Sequence, residues 1–249
     1  MKALVLCAGY GTRLGELTRE TPKPLLPLAG EPLLGHTLRW LAAQGFRDVA
    51  INLHYRPESI RDYVGDGAAF GARVIYSQEP ALLGTAGALG RLREWAVAEN
   101  DVLVVYGDLL LDERLGPMVE QHRRTGASAT ILLHQRPNSN SLIRMEEDRR
   151  ISAFIERPDE AQRAATPYPW VNSGVYLVHR RLLDRIPPDT PMDFPRDLFA
   201  PLADTEPLYG YPLQGYRCAI DSPQRYQAAD RAVREGAYRP PRDPQLPRT

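Results

Sequence analysis

The stretch "LCAGYGTRLGELTRETPKPLLPL", Leu6 to Leu28, decides how this sequence is read. With the residues just before it, "ALVLCA" (Ala3 to Ala8) reads as a short strand that is apolar on both faces, as in a parallel sheet covered on both sides. Gly9 and Gly11 follow at once. A glycine pair directly after a buried strand turns backbone amides toward an anion. Two common anion motifs do not fit. A P-loop would need Gly-Lys-Ser/Thr four residues on, whereas Gly11 is followed by Thr12 and Arg13. A dinucleotide fingerprint would need a third glycine where Leu14 stands. What remains is Gly-x-Gly-Thr-Arg, then Pro-Lys-Pro. Arg13 offers a bidentate fork, and Lys23 a compact charge on a backbone stiffened by Pro22 and Pro24. Of 31 lysines plus arginines, only Lys2 and Lys23 are lysines. A lysine is therefore a deliberate choice at this place, and two different cations after one strand end suit a triphosphate.

The rest of the composition narrows the class. The 249 residues are 43% hydrophobic and 25% charged with zero formal net charge, so no broad field favours nucleic acid or an anionic membrane. Neither partner is expected. Cys7 and Cys218 are too few for a disulfide framework or a metal knuckle and fit a reducing compartment. The N-terminus lacks the pattern of a signal peptide, and no window approaches 18 consecutive apolar residues. The cytoplasm is the expected location.

Through Asp108, strands and helices alternate. "LLGHTLRWLAAQGF" has a helical period that stops at Gly45, "DVAINL" is a strand, "PESIRDYV" a helix and "ARVIYS" a strand. A helix over about Thr85–Ala98 precedes "DVLVVYGD", the clearest buried strand. This order predicts a parallel sheet with helices on both faces. Further on, "ERLGPMVEQHRRTG" is helical, "SATILLH" is a strand, and "LIRMEEDRRISAFIERP" is a hairpin. "VNSGVYLV" and "PLYGYPL" are strands around a helix at "DFPRDLFAPLA". Ser222 caps a closing helix, "SPQRYQAADRAVREG". No linker or repeat interrupts the chain, so one domain over 1–235 and a disordered tail over 236–249 are expected. The histidines at 36, 54, 122, 134 and 179 are scattered, with no arrangement for covalent catalysis.

Residues 6–34, "LCAGYGTRLGELTRETPKPLLPLAGEPLL", resemble the signature of the sugar-1-phosphate nucleotidylyltransferases, Leu-x-Ala-Gly-x-Gly-Thr-Arg-Leu, a spacer, then Pro-Lys-Pro. The resemblance thins out to about residue 235. It implies a Rossmann-like three-layer α/β/α sandwich with a mixed, mostly parallel sheet. It also implies a Mg²⁺-dependent reaction in which a sugar-1-phosphate oxygen attacks the α-phosphorus of a nucleoside triphosphate and releases pyrophosphate. Leu6, Ala8, Gly9, Gly11, Thr12 and Arg13 would then hold the nucleotide, with Arg13 and Lys23 as the catalytic cations. "SQEPALLGTAGAL" is similar to the base-reading loop, which assigns Gln78, Glu79, Gly84 and Thr85 to the nucleotide; Gly84 and Gly87 would let backbone approach the base, and the helix could aim its N-terminus at phosphate.

The same resemblance makes Asp108 of "VVYGD" a ligand of Mg²⁺ and nucleotide, and Gly107 a neighbour of the sugar phosphate. "FIERP" is similar to Phe-x-Glu-Lys-Pro, so Glu156 would hold sugar hydroxyls and Arg157, in the usual lysine's place, the sugar phosphate. "VNSGVY" is similar to Asn-x-Gly-x-Tyr, which assigns Asn172 and Gly174 to the sugar. For the second metal carboxylate, an ungapped match on Pro223 puts Ala219 in the aspartate's place, whereas a shortened turn puts Asp221 there. Asp221 is preferred because the chemistry needs an anion. "LGTAGAL" is similar to the branch that uses GTP with mannose- or heptose-1-phosphate. UTP, dTTP or CTP, a cyclitol phosphate acceptor and a homodimer all stay open. No β-helical acetyltransferase segment follows, so acetyl transfer is not expected. Two other readings are a nucleotide-sugar-dependent glycosyltransferase, which would not need Arg13 and Lys23, and a non-catalytic regulatory subunit, which would be expected to lose them.

Overall fold

The computed structural model describes residues 1–136, 139–165 and 168–241. The strands are β1 (Lys2–Leu6), β2 (Pro27–Leu28), β3 (Glu31–Pro32), β4 (Asp48–Leu53), β5 (Arg73–Gln78), β6 (Asp101–Tyr106) and β7 (Leu109–Leu111). They continue with β8 (Ala129–Gln135), β9 (Ser141–Met145), β10 (Ile151–Glu156), β11 (Trp170–His179), β12 (Leu208–Pro212) and β13 (Arg217–Ala219). The helices are α1 (Leu33–Ala43), α2 (Pro57–Val64), α3 (Gly84–Arg91), α4 (Arg93–Ala96), α5 (Gly116–Thr125), α6 (Glu160–Ala165), α7 (Ala200–Leu202) and α8 (Pro223–Arg234). Residues group into two units. The first holds Met1–Leu82, Val105–Leu115 and the chain from Gln214; the second holds Leu83–Val104 and Gly116–Leu213.

In the first unit, β1, β4 and β5 run parallel, with Leu4 opposite Ala50 and Val49 opposite Val74. The apolar run of β1 is buried on both faces, which is why it does not alternate. Helix α1 buries Leu34, Leu38 and Leu41 at helical spacing, and Gly45, at φ +85°, ends it in the left-handed region. Helix α8 opens as the sequence predicts: Pro223 takes the first turn, and the Ser222 hydroxyl accepts from the Arg225 amide at 3.3 Å. Its Ala229 and Ala232 pack with Leu14, Leu28, Leu33, Leu110 and Ile220. Two short pairings escaped the sequence. One is the β2–β3 hairpin, and the other an antiparallel ribbon in which β7 and β13 pair Leu109 with Ala219. Tyr238 is also buried in this core, inside the segment expected to be a disordered tail; residues 242–249 of that segment lie outside those described.

In the second unit, β8 lies between β11, antiparallel, and β12, parallel. The charged segment after Met145 turns the β9–β10 hairpin as predicted. Tyr176, Phe194 and Phe199 are fully buried and meet at ring distances of 5.0–5.4 Å. The helix predicted over 85–98 is shorter, and a break at Leu92 divides it into α3 and α4. The helix at "DFPRDLFAPLA" begins as a π-helical turn over Phe194–Phe199, and the short α6 was not predicted. Strand β11 carries a bulge between Asn172 and Tyr176. No helix among the described residues is long and apolar enough to cross a membrane.

Candidate active site

The glycine loop leaves the end of β1 and closes on itself. The Leu14 amide donates to the Gly11 carbonyl at 3.0 Å, and the Thr18 hydroxyl donates to the same carbonyl at 2.9 Å. Gly11 sits at φ +69°, and a Cβ there would lie 3.1 Å from the Thr18 methyl and 3.2 Å from Lys23 Cβ. Conformation and space both demand glycine. Among the described residues, the amides of residues 8–13 have no protein acceptor, and the exposed Arg13 guanidinium has no partner. Thr12 is exposed beside it, whereas Ala8 is buried and Leu6 only partly so. Free amides and a free guanidinium on one loop are donors of the kind anionic oxygens accept from.

Lys23 is the first residue of a 3₁₀ turn that starts after extended Pro22. Its ammonium reaches the Asp108 carboxylate at 2.6 Å. The ribbon of β7 and β13 then brings the backbone just before a second acidic residue to Asp108: the Ile220 amide donates to the Asp108 carbonyl at 2.8 Å, and Asp221 is the next residue. Ala219, by contrast, lies within the ribbon and is buried. Asp221 is paired with Arg225, four residues on, at 3.1 Å. Each carboxylate thus carries its own cation. In chemistry, two carboxylates are a donor set suited to Mg²⁺, which takes one or two carboxylates and fills its shell with water and phosphate oxygens. Among the described residues no cluster of three or more metal-ligating side chains occurs, which does not conflict with so few protein ligands.

Gly107 has a packing role. A Cβ there would lie 2.6 Å from the Leu6 carbonyl oxygen and 2.7 Å from the Cys7 sulfur, while its amide donates to Leu6 at 2.9 Å. Burial, and then the Asp108 charge, push the Cys7 thiol well above its ordinary value, so it stays protonated and inert.

Packing within each unit engages the residues of "SQEPALLGTAGAL" in contacts of their own. Glu79 is only 2% exposed, and its carboxylate accepts from Asn52 at 2.8 Å; the side chain is used inside the first unit. Gln78 is exposed and accepts from Arg61 at 3.4 Å. In the second unit, the start of α3 is already occupied. The Asp193 carboxylate accepts from the Thr85 amide at 3.1 Å and from its hydroxyl at 3.2 Å, and the Met192 carbonyl accepts from the Ala86 and Gly87 amides. The missing side chains of Gly84 and Gly87 admit the backbone of Met192 and Thr190. The helix N-terminus is thus satisfied by the protein and is not free for phosphate.

The remaining residues singled out in sequence lie in the second unit. The carboxylate of Glu156, half-buried at the end of β10, has no hydrogen-bond donor among the described residues. Burial pushes its carboxyl up to about 7; Arg157 and Arg196 draw it down and Asp193 raises it. Arg157 follows at φ +52°, its amide donating to the Asn140 carbonyl at 2.6 Å. The bulge in β11 is built by Asn172, whose side-chain oxygen accepts from the Gly174 amide at 2.8 Å while its amide nitrogen donates to the Tyr176 hydroxyl at 2.7 Å. Gly174, at φ +81°, permits the bulge. Sequence reading missed Asn52, Arg225 and Asp193. Only Arg225 left a signal, the four-residue helical spacing from Asp221.

A 34% identical relative over 233 residues is a mannose-1-phosphate guanylyltransferase of Mycobacterium tuberculosis, covering 90% of this chain and 62% of the relative. A UTP–glucose-1-phosphate uridylyltransferase of Synechocystis is 32% identical over 82% of this chain and 56% of its own. This chain thus spans about three fifths of the length of such curated relatives. The crystal structure of HddC from Yersinia pseudotuberculosis shares the fold, a mixed, mostly parallel sheet with flanking helices, at a TM-score of 0.78 and 21% identity over 93% of this chain and 99% of that one. The nucleotidyl transferase family profile matches residues 2–217, and the chain belongs to that family.

Proposed function

We propose that the chain is a sugar-1-phosphate nucleotidylyltransferase whose first-choice substrates are GTP and mannose-1-phosphate. The observation that carries this reading is the Lys23–Asp108 pair at 2.6 Å beside a loop with unspent amides and a free Arg13. The names of the guanylyltransferase relatives favour GTP and mannose; the uridylyltransferase relative keeps UTP and glucose-1-phosphate as the competing pair.

In the proposed reaction, a phosphate oxygen of the sugar-1-phosphate forms a bond to the α-phosphorus. The bond from that phosphorus to the bridging oxygen of the β-phosphate breaks, and pyrophosphate leaves with the electron pair. Such transfers need little acid–base help, so charge and alignment dominate. Arg13 and the loop amides would hold the departing phosphates. Lys23 would bridge the α-phosphate and the incoming sugar phosphate, drawing them together against their mutual repulsion. Asp108 and Asp221 would hold Mg²⁺, which neutralises charge on phosphate oxygens when bound. Glu156 would accept sugar hydroxyls, Asn172 and the Gly174 bulge would shape the sugar site, and Arg157 would take the sugar phosphate. Cytoplasmic nucleotide-sugar synthesis is the setting this chemistry suits.

The test is pyrophosphate release in Mg²⁺ buffer with each of GTP, UTP, dTTP, CTP and ATP against a panel of sugar-1-phosphates. The reading holds if pyrophosphate appears only with an NTP and an acceptor together. Release with UTP and glucose-1-phosphate but not GTP would move the chain to the uridylyl reading. Transfer from a nucleotide sugar without pyrophosphate would replace both with glycosyl transfer.

A further inference from the structure

Directly after the middle of β4, the segment "NLHY" (Asn52–Tyr55) has three polar side chains, and each is tied to the glycine loop. The Asn52 side-chain oxygen accepts from the Cys7 amide at 2.7 Å, where the chain leaves β1. The His54 ring meets the Tyr10 hydroxyl through Nε2 at 2.8 Å, between the two loop glycines. The Tyr55 hydroxyl lies 3.1 Å from the Thr18 carbonyl and 2.8 Å from the Arg19 carbonyl, at the end of the loop.

Each tie is itself held. Asn52 is buried and donates to the buried Glu79 carboxylate at 2.8 Å, so its side-chain oxygen faces the Cys7 amide. His54 Nδ1 is 2.8 Å from the Glu79 carbonyl, which has no proton to give. In the neutral ring Nδ1 therefore donates, and Nε2 is left to accept the Tyr10 hydroxyl proton. The Tyr10 ring packs edge-on to His54 at 5.4 Å and tilted against Tyr55 at 5.5 Å. Arg56 donates to the Tyr55 hydroxyl at 3.2 Å and to the Arg19 carbonyl at 3.1 Å. Satisfied networks of this kind have few alternative arrangements, so they rigidify what they hold.

We infer that Asn52, His54, Tyr55 and Glu79 form a three-point clamp that presets the glycine loop for the triphosphate, acting as positioning residues and not as ligands. The inference rests on the proposed reading of that loop as the triphosphate site. A loop that has to be ordered on binding loses affinity by the fraction of time it is misplaced. The clamp removes that loss before the nucleotide arrives. It also gives Glu79 a function other than base recognition, through its carboxylate on Asn52 and its carbonyl on His54.

Tyr10→Phe and Tyr55→Phe delete only hydroxyls at the loop surface and leave the buried Asn52–Glu79 pair intact. Two readouts test the clamp: hydrogen exchange of amides 8–19 in the ligand-free protein, and KM for the NTP against kcat. Faster loop exchange and a KM raised about fivefold per variant, as for one lost hydrogen bond, are expected, with kcat changing less. The double variant should exceed tenfold. Unchanged exchange, or an unchanged KM with only a lower Tm, would overturn the clamp. Failure of the function reading looks different: the wild type itself would then turn over no NTP, whatever the loop exchange shows.

Discussion

Lys23 and Asp108 meet at 2.6 Å although 85 residues separate them in sequence, with side chains only 14% and 26% exposed. A cation held against a carboxylate in a partly dry site is already oriented when phosphates arrive, which is the condition for electrostatic preorganisation. Lys23→Ala should lower kcat by about two to three decades, as for loss of one such donor, roughly 3–4 kcal/mol. Steady-state kinetics at saturating substrates measures this; a loss under about threefold would remove Lys23 from catalysis.

Asp108 and Asp221 are brought to one end of the β7–β13 ribbon by the bond from Ile220 to the Asp108 carbonyl. Asp108→Asn and Asp221→Asn should each weaken divalent binding by about tenfold or more, since even outer partners of metal ligands change affinity by 10–100-fold. Mn²⁺ titration followed by electron paramagnetic resonance reads this without turnover. EDTA should stop turnover and Mg²⁺ restore it. Wild-type Mn²⁺ affinity in both variants would rule out the pair.

Glu156 has its carboxyl raised to about 7 from an ordinary 4.5, with burial the largest cause. The folded state therefore favours the protonated form. The stability this contributes is complete below about 4.5 and is lost as pH rises through about 7. The ionised form is the better acceptor for sugar hydroxyls, so KM for the sugar-1-phosphate should fall across the same range. Glu156→Gln should flatten that profile and raise Tm relative to wild type above pH 7 but not near pH 4. An unchanged KM profile in the variant would separate Glu156 from the sugar.

Asp193 occupies the start of α3 through the Thr85 amide and hydroxyl, and it raises the Glu156 carboxyl. Asp193→Ala should cost about 1 kcal/mol of stability, as for a lost cap. It should also move the Glu156 titration downward. Thermal melts and the pH profile of sugar-phosphate KM check the two effects separately. A melt unchanged from wild type would deny the capping role.

The sheet of the first unit was readable because parallel strands buried on both faces leave unbroken apolar runs, as in β1. The three-residue strands β7 and β13 left no such trace, since long-range pairing alone defines them. Arg13, Lys23 and Asp108 could be singled out because motif spacing marks them. The packing at Gly84 and Gly87 left no local trace, because the backbone that fills their space, Thr190–Met192, lies about a hundred residues on. Glu79 was placed by its motif at the base, yet no local pattern could show that Asn52 would bury and engage its carboxylate.

The most direct measurement follows phosphorus NMR of GTP, mannose-1-phosphate and Mg²⁺ with the protein. The account predicts matched growth of a nucleoside-diphosphate-sugar and pyrophosphate, each appearing only when both substrates are present. Pyrophosphate or inorganic phosphate from GTP alone, or no new resonance with any NTP and sugar-1-phosphate pair, would contradict it.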